Sequence, residues 1–321
     1  MGIGLVVISA AGYGSGSILA APIYSTGIDW LTLVGWRFLI GAAIGWLWVL
    51  GSPGRRMALR RMSRRQVAVA LGLGALFTGN AGTYYASLET VPAALAGVVV
   101  YTYPVMVAVL SLRFATRLPG RRPWIAAGLA VAGSALALGG IDVAEAPPVG
   151  GLVLVFLSAA IYSVWIILSA RLSGERRDHL ATDSANAGST TGDAAVTTTV
   201  MMTATGAVYA LAALVLGRPL DPSSVPAAAW PGIVAVAFVA SFLAIQTFYA
   251  GARRIGAARA ALTATVEPLI IVVLAWLFLD QRLAPIQLAG AALIVIGVVI
   301  AQTSPRPVGA PEPATPLEAE G

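Results

Sequence analysis

The sequence predicts an all-α integral membrane protein of ten transmembrane helices, built as two inverted five-helix repeats. Three observations predict it. The chain is 58% hydrophobic and 11% charged, whereas a soluble domain carries about 45–50% apolar and about 25% charged residues. Apolar runs of about 20 residues recur along the whole length, each long enough to cross a ~30 Å hydrocarbon layer as a helix. One such segment also occurs twice. TYYASLETVPAALAGVVVYTYP, Thr83 to Pro104, returns at a constant offset as TFYAGARRIGAARAALTATVEP, Thr247 to Pro268.

The expected spans are, in order, about 3–22, 30–50, 67–88, 92–112, 122–140, 150–170, 197–217, 229–250, 255–279 and 285–303. The N-terminal run MGIGLVVISAAGYGSG lacks the basic region of a signal peptide and is expected to stay as the first span. Glycine and alanine are frequent inside the spans, where small residues let helices approach closely. The first repeat covers residues 3–140 and the second 150–303. Within the second, residues 171–196 form a polar cytoplasmic loop rich in Ser, Thr, Gly and Asp. The tail, residues 304–321, is rich in proline and glutamate and is expected to be disordered.

Arginine placement orients the bundle. With the N-terminus in the cytoplasm, the inward connections carry Arg55, Arg56, Arg60, Arg61, Arg64 and Arg65, then Arg113, Arg117, Arg121 and Arg122. They are followed by Arg171, Arg176 and Arg177, by Arg253, Arg254 and Arg259, and by Arg306 in the tail. The outward connections hold Arg218 and Arg282 against Asp29, Glu89, Asp142, Glu145, Asp221 and Asp280. Positively charged loops stay on the cytoplasmic side, so both termini are expected there, in a multi-pass protein of the cell (inner) membrane. Five spans per half is an odd number, so the second half enters the membrane upside down. That explains why the repeated segment has the connection SLETVP in its first copy and GARRIGAAR in its second. Inverted repeats around a midplane site are an architecture of alternating-access transporters.

Composition also excludes. There is no cysteine, and the single histidine, His179, lies in a polar loop. Thiolate or histidine metal sites and thiol nucleophiles therefore have no material, and neither a cofactor nor an enzymatic activity is expected. All twenty basic residues are arginine, and a pI of about 10.1 reflects membrane topology rather than nucleic-acid binding. The expected partners are the lipid bilayer and a small-molecule substrate.

The segment FYAGARRIGAARAALTATVEPLIIVVLAWLFLDQRLAPIQLAGAALIVIGVVIA resembles the end of proteins in the drug/metabolite transporter superfamily, in its EamA-type branch. Glu267-Pro268 matches the family's Glu-Pro and Pro285 its following proline, while Asp280-Gln281-Arg282 stands where Gly-Glu-Arg is usual. Tyr13-Gly14-Ser15 resembles the family's Trp-Gly-Ser, and Arg37 matches an arginine often found in the second span. In the first repeat, Tyr103-Pro104 replaces Glu-Pro and Thr116-Arg117-Leu118 replaces Gly-Glu-Arg. The resemblance spans about residues 3–303 and implies two EamA-like repeats. It implies a transporter, commonly an exporter or facilitator of amino acids or related small metabolites; the alternatives are efflux of cationic drugs and a non-transporting structural membrane protein.

Polar residues inside a span are costly and tend to face the bundle interior or a cavity. That principle selects Tyr13 and Ser15 in the first span, Asn80 in the third, Tyr101 and Tyr103 in the fourth, and Tyr162 and Trp165 in the sixth. Gln246 in the eighth and Glu267 in the ninth complete the candidate substrate-binding set. Each has a plainer reading as a packing or interfacial residue. Pro104 and Pro268 fall mid-span, where a proline removes an i→i−4 bond; each is a static kink or a hinge. Arg37 and Glu267 are the two charges within spans. Counted from opposite faces at 1.5 Å per residue, they lie about 10 Å and roughly 18 Å deep. They either pair or act separately, with Glu267 holding a substrate ammonium or a coupling proton.

Overall fold

A computed structural model describes residues 2–103, 146–172, 193–218, 220–255 and 266–302, with isolated positions between 104 and 145 and at 263–264. The second half of the fourth span with Pro104, most of the fifth, the loop centre 173–192, residues 256–262 and the tail fall outside the described residues. Among those described there are helices and no strand.

Among the described residues, six helices are long and apolar enough to cross a membrane. Helix α1 runs Gly2–Tyr24 and α2 runs Trp30–Leu50. Asp29 caps α2, its side chain accepting from the Thr32 amide at 2.8 Å. Helix α4, Arg64–Ser87, starts three residues before the expected 67 because Ser63 and Gln66 form a reciprocal capping box. Helix α5 is short, Ala93–Val100. Helices α6 (Val149–Leu172) and α7 (Ala194–Val215) follow. Asp193 caps α7 through the Ala195 amide, so residues 194–196, expected in the polar loop, belong to the helix. The segment expected as the eighth span is Trp230–Val236 (α8), a π-helical turn Ala237–Leu243, and Ala244–Ile255 (α9). Two shorter apolar helices follow, α10 (Glu267–Leu279) and α11 (Pro285–Gln302).

One connection expected as a loop is a helix. Pro53–Arg60 forms α3. Pro53 lies in its first turn, where a missing N–H costs nothing, and Arg, Met, Ala and Leu are good helix formers.

The two halves interlock rather than sit side by side. Helix α4 of the first half packs between α6 and α7 of the second, α2 packs on α7 and the π turn, and α1 packs on the π turn, α9 and α10. Gly16 makes the approach of α1 possible. A Cβ there would sit 2.6 Å from Tyr85 Oη and 2.9 Å from Ala240 Cβ. Gly133, expected in the fifth span, lies against α11, where a Cβ would meet Gly290 O at 2.6 Å. Apolar side chains remain open along the flanks, including Leu47 at 75%, Phe278 at 72% and Val131 at 71% exposure. In a bilayer that surface faces lipid.

Candidate functional site

The segments expected as the fourth and ninth spans are both interrupted, at corresponding places in the repeated segment. Helix α5 ends at Val100 and Tyr101 is its cap. Helix α10 begins at Glu267 after a turn at Val266. Pro268 is therefore in the first turn of a helix, not the middle of one. The mid-span kink expected from sequence is a break, because proline is tolerated where its N–H has no helical partner. Missing that N–H, Pro268 leaves the carbonyl four residues back without its usual donor, and that carbonyl belongs to Ala264. Tyr101 Oη donates to Ala264 O at 2.6 Å and lies 3.3 Å from Glu267 Oε2. A residue of the first half thus fills a backbone acceptor freed in the second.

From Tyr101 a row of rings runs across the bundle. Tyr101 and Tyr103 meet at 5.4 Å, Tyr103 and Tyr162 at 4.7 Å, and Tyr162 stacks on Trp165 at 5.7 Å. Phe77 lies 5.4 Å from Trp165 and 6.1 Å from Phe38, and Phe38 stacks on Tyr209 at 5.8 Å. Trp165 Nε1 donates to Leu73 O at 2.9 Å, fixing the ring between α6 and α4. Four of the sequence candidates, Tyr101, Tyr103, Tyr162 and Trp165, are brought together with Glu267 at one end. Rings in this arrangement offer π-faces and hydroxyls to a cationic or apolar group.

The other candidates are elsewhere. Asn80 Nδ2 donates to Ser158 O and Oγ at 3.1 and 2.9 Å, and Ser158 Oγ donates back to Asn80 O at 3.0 Å, so this pair ties α4 to α6. Ser15 Oγ returns to Gly12 O of its own helix at 2.8 Å. Gln246 Nε2 donates to Thr198 Oγ1 at 3.2 Å, joining α9 to α7. Tyr13 is half-buried on α1.

Arg37 and Glu267 do not meet. The Arg37 side chain is buried, its Nε donating to Ser241 Oγ at 2.7 Å and its Nη2 to Ala240 O at 3.2 Å. Its guanidinium lies 4.6 Å from the Tyr85 ring centroid and 5.0 Å from that of Phe38. Neither ion pair among the described residues includes Arg37 or Glu267. Arg37 instead serves the π turn, whose wide hydrogen-bonding pattern leaves groups to be satisfied from outside the helix. Ser241 and Ala240 were not legible as its partners; the one signal was a serine inside the apolar run AFVASFL.

A separate pocket of about 230 Å³ opens between the end of α1, the α4–α5 connection and the α10–α11 connection, lined by Ser17, Leu88, Glu89, Pro92 and Gln281 among others. Gln281 Oε1 accepts from the Ala94 amide at 3.2 Å and Glu89 Oε1 from the Trp30 amide at 2.7 Å. Both side chains are thus engaged at helix starts. None of the nine candidate substrate-binding residues lines this pocket. Among the described residues no cluster of three or more metal-ligating side chains occurs.

No curated protein matches the chain in sequence. A solved structure, described only as the crystal structure of a protein, matches with a TM-score of 0.61 at 22% identity, over 93% of this chain and 96% of that one. At that identity the likeness concerns the fold alone. The model of the EamA-like transporter family matches residues 1–139 and 149–303. Together these regions cover nearly the whole chain, a multi-pass helical bundle, and the chain belongs to the EamA-like transporter family.

Proposed function

We propose that the chain is a secondary transporter that moves a small metabolite bearing an ammonium group, such as an amino acid, across the cell membrane, as an exporter or facilitator. The two five-helix repeats rock as inverted units about a midplane site formed by Glu267 and the row Tyr101, Tyr103, Tyr162 and Trp165. The observation that carries this reading is Glu267 itself. It is a partly buried carboxylate at a helix break, with one tyrosine hydroxyl beside it and aromatic faces adjoining. A charge at such a depth costs about 2.5–3.5 kcal/mol on insertion scales, and a cationic ligand offsets that cost. A coupling proton is the other occupant the same carboxylate admits. Efflux of larger cationic drugs is the second reading, favoured by the length of the aromatic row.

The test is transport by the purified protein in vesicles, with a panel of amino acids and cationic dyes. Glu267→Gln is expected to abolish transport, or its pH dependence, while the protein still inserts. Wild-type rates for Glu267→Gln across about pH 5 to 8 would remove Glu267 from the mechanism. The inverted arrangement, with both termini cytoplasmic, is supported by the arginine distribution. Reporter fusions after Glu89 and Arg254 are expected to read opposite sides of the membrane, and the same side for both would end that reading.

A further inference from the structure

The helix that the sequence hid, α3, carries a surface whose chemistry points to a partner. Helix α2 has 21 residues, about 31 Å at 1.5 Å per residue, which matches the ~30 Å hydrocarbon core. Its last residue, Leu50, is therefore at the hydrocarbon boundary, and α3 (Pro53–Arg60) begins three residues later at headgroup level. Helix α3 packs on α2 and α7. Arg55, Ala58, Leu59 and Met62 are half-buried, while Arg56, Met57, Arg60 and Arg61 are exposed. At 100° per residue those four exposed positions share one face. Arg64 and Arg65, at the start of α4, are exposed beside it.

Among the described residues, the arginines of this face have no protein counter-ion. Both ion pairs among the described residues lie elsewhere, at Asp29–Arg218 and Asp280–Arg282. The sequence has no acidic residue between Leu50 and Glu89. Above the arginines the surface is apolar, with Leu47 and Leu50 at 75% and 51% exposure, and Met57 is 48% exposed in the middle of the basic face. The Arg55 guanidinium lies over the Trp48 ring at 3.7 Å from its centroid. Tryptophan at the boundary, arginines beyond it and an apolar side chain among them is the pattern of an amphipathic element lying in a bilayer interface.

We propose that α3 and the first turn of α4 bind the phosphate headgroups of anionic lipid in the adjoining leaflet, with Arg56, Arg60 and Arg61 as the ligating face and Met57 inserted between acyl chains. Each cation at headgroup level contributes about 1 kcal/mol of attraction to an anionic surface, whether arginine or lysine. The site is independent of the transport reading above.

The test uses the full chain, purified in mild detergent and offered phosphatidylglycerol or phosphatidylcholine, with bound lipid counted by native mass spectrometry. Wild type is expected to retain phosphatidylglycerol in preference. Arg56→Gln/Arg60→Gln/Arg61→Gln is expected to lose about fivefold of that preference per arginine, and the matching triple lysine variant to keep most of it. If the glutamine variant does not insert, salt decides on wild type alone. The preference should fall steeply between about 0.05 M and about 1 M salt, as screening shortens to about 3 Å. A preference unchanged in the glutamine variant, or unchanged by salt, overturns the proposal. So does displacement of the lipid by millimolar glycerol phosphate, because the face would then be a site for a soluble phosphate.

Discussion

The bond between Tyr101 and Ala264 can be tested as a pair with Pro268. Tyr101→Phe deletes one oxygen and keeps the ring, so the aromatic contact with Tyr103 survives while the 2.6 Å bond to Ala264 O is lost. Leaving a buried acceptor unsatisfied costs about 1–3 kcal/mol, and a bilayer core offers no water to replace the donor. Pro268→Ala restores an N–H at the position from which an α-helix would bond Ala264 O. In that background the bond to Ala264 O is redundant, and Tyr101→Phe should cost only the weaker hydroxyl contacts with Glu267, at 3.3 Å, and with Tyr103, under about 1 kcal/mol. The expected coupling energy of the double-mutant cycle is thus about 1 kcal/mol or more, well above the ~0.3–0.5 kcal/mol of independent sites. The assay is reversible unfolding of the four proteins in mixed micelles. If the two substitutions add, the carbonyl is not shared between the proline break and the tyrosine, and the argument for a cross-repeat bond at the helix break fails.

Three further outcomes are expected. Gly16→Ala should destabilise by about 1–3 kcal/mol, the usual cost of overpacking, because its Cβ would fall 2.6 Å from Tyr85 Oη; Tyr85→Phe should recover part of the loss in the same unfolding assay. Asp280 holds a left-handed backbone at φ 51°, so Asp280→Gly should raise the melting temperature, its relief of about 1 kcal/mol of steric cost exceeding glycine's added chain entropy. Asp29 sets an acid limit. Burial alone would raise its carboxyl, but the Thr32 hydrogen bonds and the Arg218 guanidinium outweigh burial and hold it below the ordinary aspartate value. Its contribution is therefore present above about pH 3.9 and lost as pH falls through the lowered folded value. Asp29→Ala should remove about 1 kcal/mol of cap stability near neutral pH, and the difference from wild type should close in strong acid.

The sequence by itself determined what the bilayer dictates. A span must be apolar and about 20 residues long, so α1, α2, α6 and α7 lie within a few residues of where composition put them. The repeated segment was legible too, and its two copies hold the C-terminal end of α5 and the start of α10 at Glu267. The caps at Asp29 and Ser63 were read only as loop residues, and the fold shows them starting α2 and α4. What the tertiary structure decided is which polar group each span meets. Whether Arg37 pairs with Glu267 was open in the sequence, and the fold sets Arg37 on the π turn at Ser241 and Ala240 instead; Asn80 clasps Ser158 rather than facing a cavity. These partners are 203, 204 and 78 residues apart in the chain. A soluble helix announces its inward face by an apolar stripe, but a span apolar on every side has none. Its rotation is set by where small residues such as Gly16 let a neighbour in, and that is a property of two helices together.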